Sequence, residues 1–158
     1  MGTDATSRTA GADRRAGIVH ADVLIAGGGP AGCAAALSLR AHAPGRSVVV
    51  VEPGGGARVG ESLPPAARRA LGHLGLWPAF LRQGHRESHG TAAVWGADAY
   101  ATHDAVFSTG GTGYHLDRAR FDALLADGAR EAGARWCETR VRGAERSGGG
   151  WRVALADG

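Results

Sequence analysis

Residues 21–32 read ADVLIAGGGPAG, and the fold is decided by what this stretch does. The nearly continuous apolar run over 21–26 suits a buried parallel strand. Gly27 to Gly29 turn the chain, and Ala31 to about His42 is rich in helix formers, ended by Pro44 and Gly45. Ser47 to Val51, SVVVV, then reads as a second buried strand. Strand, tight glycine turn, helix and strand make one βαβ unit.

Within that unit each residue of Gly27-x-Gly29-x-x-Gly32 has a separate physical task. Gly27 permits the tight turn out of the strand. Gly29 lets backbone approach a diphosphate with no Cβ in the way, and Gly32 keeps the helix close to the sheet. The helix N-terminus offers N–H groups and positive dipole to the diphosphate charge. Glu52 ends the second strand, where it can accept hydrogen bonds from both hydroxyls of an adenosine ribose. Its negative charge disfavours a 2′-phosphate. These features together point to an adenine dinucleotide, and spacing alone does not say which.

Composition narrows the classes. The chain has 158 residues, enough for one domain with a core. All 18 basic residues are Arg, there is no Lys, and the net charge is +3. No dense basic run is present, so nucleic acid is not an expected partner. Cys33 and Cys137 are far apart and lack metal-ligand spacing, and no His pair has HxH or HExxH spacing, so no metal site is expected. The two cysteines read as reduced, small apolar residues of a cytoplasmic protein. Nothing reads as a secretory signal or a transmembrane span.

Further along, Pro64 and Pro65 open an expected helix with Ala67, Ala70, Leu71 and Leu74 on one face, broken by LGLWPAF. TAAVW and AVFS read as short strands. Asp117 is an N-cap for the helix RARFDALLADGAREA, whose stripe is Phe121, Leu124, Leu125, Ala129 and Ala132, with Gly133 as its stop. ARWCETRV reads as a strand, GAERSGGG as a turn, and Trp151, Val153 and Leu155 alternate on a last strand.

Three phrases, GGGPAGCAAALSL, VGESLPPAARRALGHLGLW and GYHLDRARFDALLADGAREAGA, resemble, in this order, segments of flavoprotein monooxygenases and flavin-dependent halogenases. The resemblance implies FAD as cofactor. It implies an α/β, Rossmann-like FAD/NAD(P)-binding fold with a small antiparallel strand insertion. Residues 1–17 are then a disordered leader, and 18–158 the N-terminal part of an FAD-binding domain, incomplete before the second half of the cofactor site.

Carried over by position, the loop Gly27, Gly29, Pro30, Ala31 and Gly32 would hold the pyrophosphate and Glu52 the ribose. Glu61 and Ser62 would lie along the flavin side, Arg118 would reach the ribityl and phosphate portion, and the backbone of Val141 would meet the adenine. The resemblance also implies an oxidoreductase, with electrons from NAD(P)H or a flavin reductase and a small-molecule or protein side-chain substrate. Halogenases of this group use a relay lysine between the Gly-Glu segment and the following WG strand. That interval here, Glu61 to Trp95, contains none, and Arg stays protonated and cannot replace it. Monooxygenase chemistry is the expectation; the alternatives are halogenation and a non-catalytic FAD-binding fragment. No catalytic residue is assigned, although His85, His89, His103 and His115 include candidates for a base.

Overall fold

The computed structural model describes residues 17–55, 59–94, 96, 101–104 and 111–156. The first half of the chain carries β1 (Val23–Ala26), α1 (Pro30–His42), β2 (Val48–Val51), β3 (Glu61–Leu63), α2 (Ala67–His73) and α3 (Trp77–Arg82). After these come β4 (Arg86–Ser88), β5 (Gly90–Ala93), β6 (Ala101–Asp104) and β7 (Gly113–Leu116). The last are α4 (Arg118–Glu131), β8 (Arg135–Cys137), β9 (Val141–Ser147) and β10 (Gly150–Leu155). The chain divides into two compact units, Met1–Gly54 with Arg130–Gly158, and Gly55–Ala129. The leader expected over 1–17 lies, apart from Gly17, outside the described residues, as does the strand expected at AVFS. Among the described residues no helix is long and apolar enough to cross a membrane.

The first unit holds the predicted βαβ unit, the further strand β8 and the pair β9 and β10. Its sheet has the order β1-β2-β8 and is wholly parallel, with Val23 opposite Val48 and Val51 opposite Cys137. All four valines of β2 are buried, as a central strand covered on both faces requires. β1 departs from the expectation of a fully buried strand. Its residues alternate between half-buried and exposed, because it occupies the edge of this three-stranded order. At the opposite end of the strands from the glycine loop, Asp22 accepts Ser47 N–H at 2.8 Å, the Ser47 hydroxyl at 2.7 Å and an Arg46 N–H at 3.0 Å. The Ser47 bonds and the Arg46 guanidinium hold the Asp22 carboxyl down at about 2.

Helix α1 starts on Pro30, whose fixed φ suits the first turn, and buries Cys33 and Ala36. Arg40 in its last turn donates to the carbonyls of Ala132, Pro44 and Arg46 at 2.7–2.9 Å. That side chain ties the end of α1 to the turn at Gly133, which has φ +90°.

The reading of GAERSGGG as a turn is corrected: residues 141–147 form β9, paired antiparallel with β10. Only Gly148 and Gly149 make the turn, both at positive φ (58° and 81°), the backbone a two-residue hairpin needs. The strand was hidden because six of its seven residues are exposed, so no apolar alternation marks it.

In the second unit β7 is the middle of an antiparallel sheet of order β3-β7-β4, and β5 and β6 form a hairpin. β3, β4, β6 and β7 were not anticipated; at three or four residues each, with Glu, Ser, Arg, His and Asp among them, they carry little periodic signal. LGLWPAF does break the helix before it, at Gly75 (φ +73°), and then opens α3. Phe80, 1% exposed, is the hub of this unit. Its ring stacks on Trp77 (5.2 Å) and meets Tyr114 (5.1 Å) and Phe121 (5.9 Å) edge-on. Such pairs add about 0.5–1.5 kcal/mol each beyond their burial. Asp117 caps α4 as expected, its carboxylate accepting the Arg120 N–H at 3.2 Å. The stripe of α4 buries Phe121, Leu125 and Ala129, and with them Asp122.

Candidate functional site

The glycine loop leaves β1 at Gly27, whose φ of +106° only glycine adopts without strain. Its N–H is held by the Val51 carbonyl at 2.8 Å, continuing the β1–β2 ladder into the turn. The next peptide is gripped from both sides. The Gly28 N–H donates to Glu52 Oε2 at 2.6 Å, and the Gly28 carbonyl accepts the Cys33 thiol at 3.1 Å.

A Cβ added at each glycine separates their tasks. At Gly32 it would strike the Gly27 carbonyl, so this residue is needed for α1 to pack on the loop. At Gly28 it would come within 2.5 Å of the Trp136 ring and 2.9 Å of Glu52 Cβ. At Gly29 it would meet nothing within 4 Å among the described residues. The demand on Gly28 was not foreseen, because the ring that fills its Cβ position comes from β8. The Trp136 ring is itself covered by the Arg130 guanidinium, 4.3 Å from its centroid.

Pro30, Ala31 and Gly32 form the first turn of α1. No side chain caps that turn and no acidic residue lies in it, so its N–H groups and positive dipole are not answered by a carboxylate of their own helix. Glu52 stands at the carboxyl end of β2, its N–H bonded to the Cys137 carbonyl at 3.0 Å. A carboxylate has about four lone-pair sites, so the bond from Gly28 leaves Glu52 able to accept others. Val141, half-buried, opens β9 opposite Leu155. Thr139, between β8 and β9, has its hydroxyl oxygen buried with no hydrogen-bond partner among the described residues.

In the second unit Glu61 and Ser62 lie on β3, opposite Leu116 and His115 of β7, and are not in the loop the resemblance implies. Both are exposed. Arg118 opens α4 and is largely buried, with its side chain 16% exposed. Its Nε and Nη2 donate to the two oxygens of Asp122 at 3.0 and 3.1 Å, and Nη1 pairs with Glu61 at 2.5 Å. The sequence singled out Arg118 and Glu61 separately. Asp122, which orients the guanidinium from one helical turn on, was missed; the Arg/Asp spacing of four was the available signal.

Of the four histidines, His85 is committed to structure. Its Nδ1 accepts the Asp117 N–H at 3.3 Å and its Nε2–H donates to Gln83 Oε1 at 2.8 Å, while the ring stacks on Phe80 at 5.0 Å. Burial, and then the nearby Arg120 charge, push its pKa below the ordinary value. A ring with both nitrogens used and a lowered pKa is a poor proton acceptor. His89 and His115 are exposed, and the side chain of His103 lies outside the described residues.

A parallel sheet with a glycine turn into a helix, and a carboxylate at the end of the adjacent strand, defines a dinucleotide-binding α/β protein. Among the described residues the site fits such a ligand: nothing lies in the Cβ direction of Gly29, the first turn of α1 lacks an anionic cap, and Thr139 has an unanswered hydroxyl. The chain belongs to the FAD binding domain family, whose model matches residues 20–157, and its cofactor is FAD. It is similar to LodB of Marinomonas mediterranea, named as an FAD-dependent oxidoreductase, with 36% identity over 107 residues, 66% of this chain and 29% of that one. Among solved structures it is similar to the myxobacterial chondrochloren halogenase CndH (TM-score 0.70, 26% identity, 81% of this chain and 31% of that one). It is similar also to the peptidyl tryptophan dihydroxylase QhpG (TM-score 0.66, 30% identity, 89% and 30%). The chain thus spans under a third of the length of each of these proteins.

Proposed function

We propose that this chain is the adenosine- and diphosphate-binding part of an FAD-dependent oxidoreductase of the monooxygenase type. Bound flavin would supply the redox chemistry with oxygen. The chain's own residues bind and orient it. Gly27, Gly29, Pro30, Ala31 and Gly32 lie against the pyrophosphate, with the unanswered N–H groups of α1 toward its charge. Glu52 accepts the ribose hydroxyls while holding the Gly28 peptide in place, and Val141 presents backbone to the adenine. Glu61 and Ser62 line the flavin side. Arg118, fixed by Asp122, positions Glu61 there rather than acting as an unpaired cation.

The observation that carries this reading is the contrast between Gly28, clamped on both faces, and Gly29, whose Cβ direction is open. Oxygenation is favoured over halogenation by the lack of any lysine from Glu61 to Trp95. The substrate is a small molecule or a protein side chain, the latter supported by the likeness to a peptidyl tryptophan dihydroxylase. NAD(P)H or a separate flavin reductase would supply the electrons.

The test uses the full-length protein with reduced FAD, oxygen, chloride or bromide, and aromatic substrates that include tryptophan-containing peptides. The cofactor released by heat should be FAD, and mass spectrometry should find oxygen added and no halogen. A halogenated product would overturn the monooxygenase reading, and release of FMN alone would overturn the role given to Glu52.

A further inference from the structure

Thr139 is placed in the fold by one shared acceptor. The Cys137 carbonyl, at the end of β8, receives the N–H of Glu52 and the N–H of Thr139, each at 3.0 Å. Both residues therefore sit at the carboxyl end of the parallel sheet, the end at which folds of this type take their ligands. The Thr139 hydroxyl oxygen there is shielded from solvent and bonded to nothing among the described residues. A buried hydroxyl left without a partner destabilises the fold, since its hydration is lost and nothing replaces it. Valine fills the same volume without that cost, so packing alone does not account for a threonine.

We propose that the Thr139 hydroxyl hydrogen-bonds the adenosine half of the dinucleotide beside Glu52 and favours ligands that carry that half. The inference rests on the FAD-binding reading given above. Ribose hydroxyls held by Glu52 bring the adenosine to the end of β8, where Thr139 stands with its N–H already used and its hydroxyl unused. The hydroxyl both donates and accepts, so it can answer a ribose oxygen or an adenine nitrogen.

The experiment compares wild type, Thr139→Val and Thr139→Ser of the full-length protein stripped of cofactor. Affinities for FAD, ADP and FMN are measured by titration, and thermal unfolding is followed without ligand. Loss of one hydrogen bond should weaken FAD and ADP by the same factor, about fivefold to tenfold, in Thr139→Val. FMN, which lacks adenosine, should be unchanged, and Thr139→Ser should stay within about twofold of wild type for all three. Without ligand, Thr139→Val should unfold at the same or a higher temperature than wild type. Unchanged FAD and ADP affinity in a folded Thr139→Val would overturn the proposal. So would equal loss of FMN and ADP binding, or a lowered unfolding temperature in both variants, since either marks a structural role. If wild type binds neither FAD nor ADP, the underlying FAD reading fails instead.

Discussion

The glycine loop and the Arg118 cluster both surround candidate ligand positions, yet they are prepared in opposite ways. Around Gly28 the backbone is fixed by one N–H and one carbonyl bond, and beside it Gly29 leaves space unfilled. Around Arg118 the charges are already satisfied: one guanidinium meets two carboxylates, one exposed and one buried. The loop offers donors and room to an anion. The cluster pairs its cation with the carboxylates of Glu61 and Asp122. The comparison teaches that an arginine at a helix start has to be read together with the carboxylates it is paired with.

The largest expected break in this comparison is Gly32→Val. Its Cβ would overlap the Gly27 carbonyl, so α1 must shift away from the loop. We expect a loss of at least about 3 kcal/mol of stability, with FAD retention lost as a consequence. Urea unfolding with absorbance of retained flavin checks both. An unchanged midpoint would show that the loop gives way more easily than its geometry implies.

Asp122→Ala is the next largest. It leaves the mostly buried Arg118 with only an exposed partner, and removing one partner of a buried pair costs about 3–5 kcal/mol, an upper bound here because Glu61 remains. Glu61→Ala removes the exposed partner and should cost under about 1 kcal/mol. Denaturant midpoints for the two variants test the ordering, and equal losses would contradict the account of Asp122 as the main anchor.

The smallest effect is a dependence on pH. His85 has its pKa lowered by burial, so the folded chain binds its proton less readily than the unfolded chain. The unfolded state therefore takes up more protons as pH falls below about 6.5, and stability declines there. Above that value His85 contributes no slope. Asp117, whose charge opposes the shift, and Arg120, whose charge adds to it, are the ionic groups acting on the ring. Unfolding followed from pH 8 to pH 5 should show a shallower decline in His85→Gln than in wild type; identical slopes would remove His85 from the account.

The sequence was most readable where a residue type encodes a backbone state. Gly27, Gly133 and the N-cap Asp117 each state a conformation, and β2 announces itself as four consecutive valines. The parallel strand β8 was legible as a run after a helix stop, but the reading of ARWCETRV as a single strand is corrected: β8 ends at Cys137 and Val141 opens β9. What was not legible depends on partners distant in the chain. The need for Gly28 comes from Trp136, the pairing of β3 comes from β7, and the role of Asp122 comes from Glu61 through Arg118. β9 was missed because an exposed hairpin needs hydrogen bonds and a glycine turn, not an apolar face. His85 resembled a candidate base only until its two nitrogens were accounted for.

The central claim is that the opening beside Gly29 takes the diphosphate of FAD, and Gly29→Val tests it most directly. Gly29 has φ −72°, which any residue adopts, and a Cβ there touches no atom of the described residues within 4 Å. The variant should therefore unfold within about 1 °C of wild type when both are stripped of cofactor, consistent with a surface substitution of under about 0.5 kcal/mol. Calorimetric titration of the same samples should show FAD affinity reduced at least about a hundredfold, because the side chain occupies the path of the diphosphate. Wild-type affinity for FAD in a stably folded Gly29→Val would contradict the account.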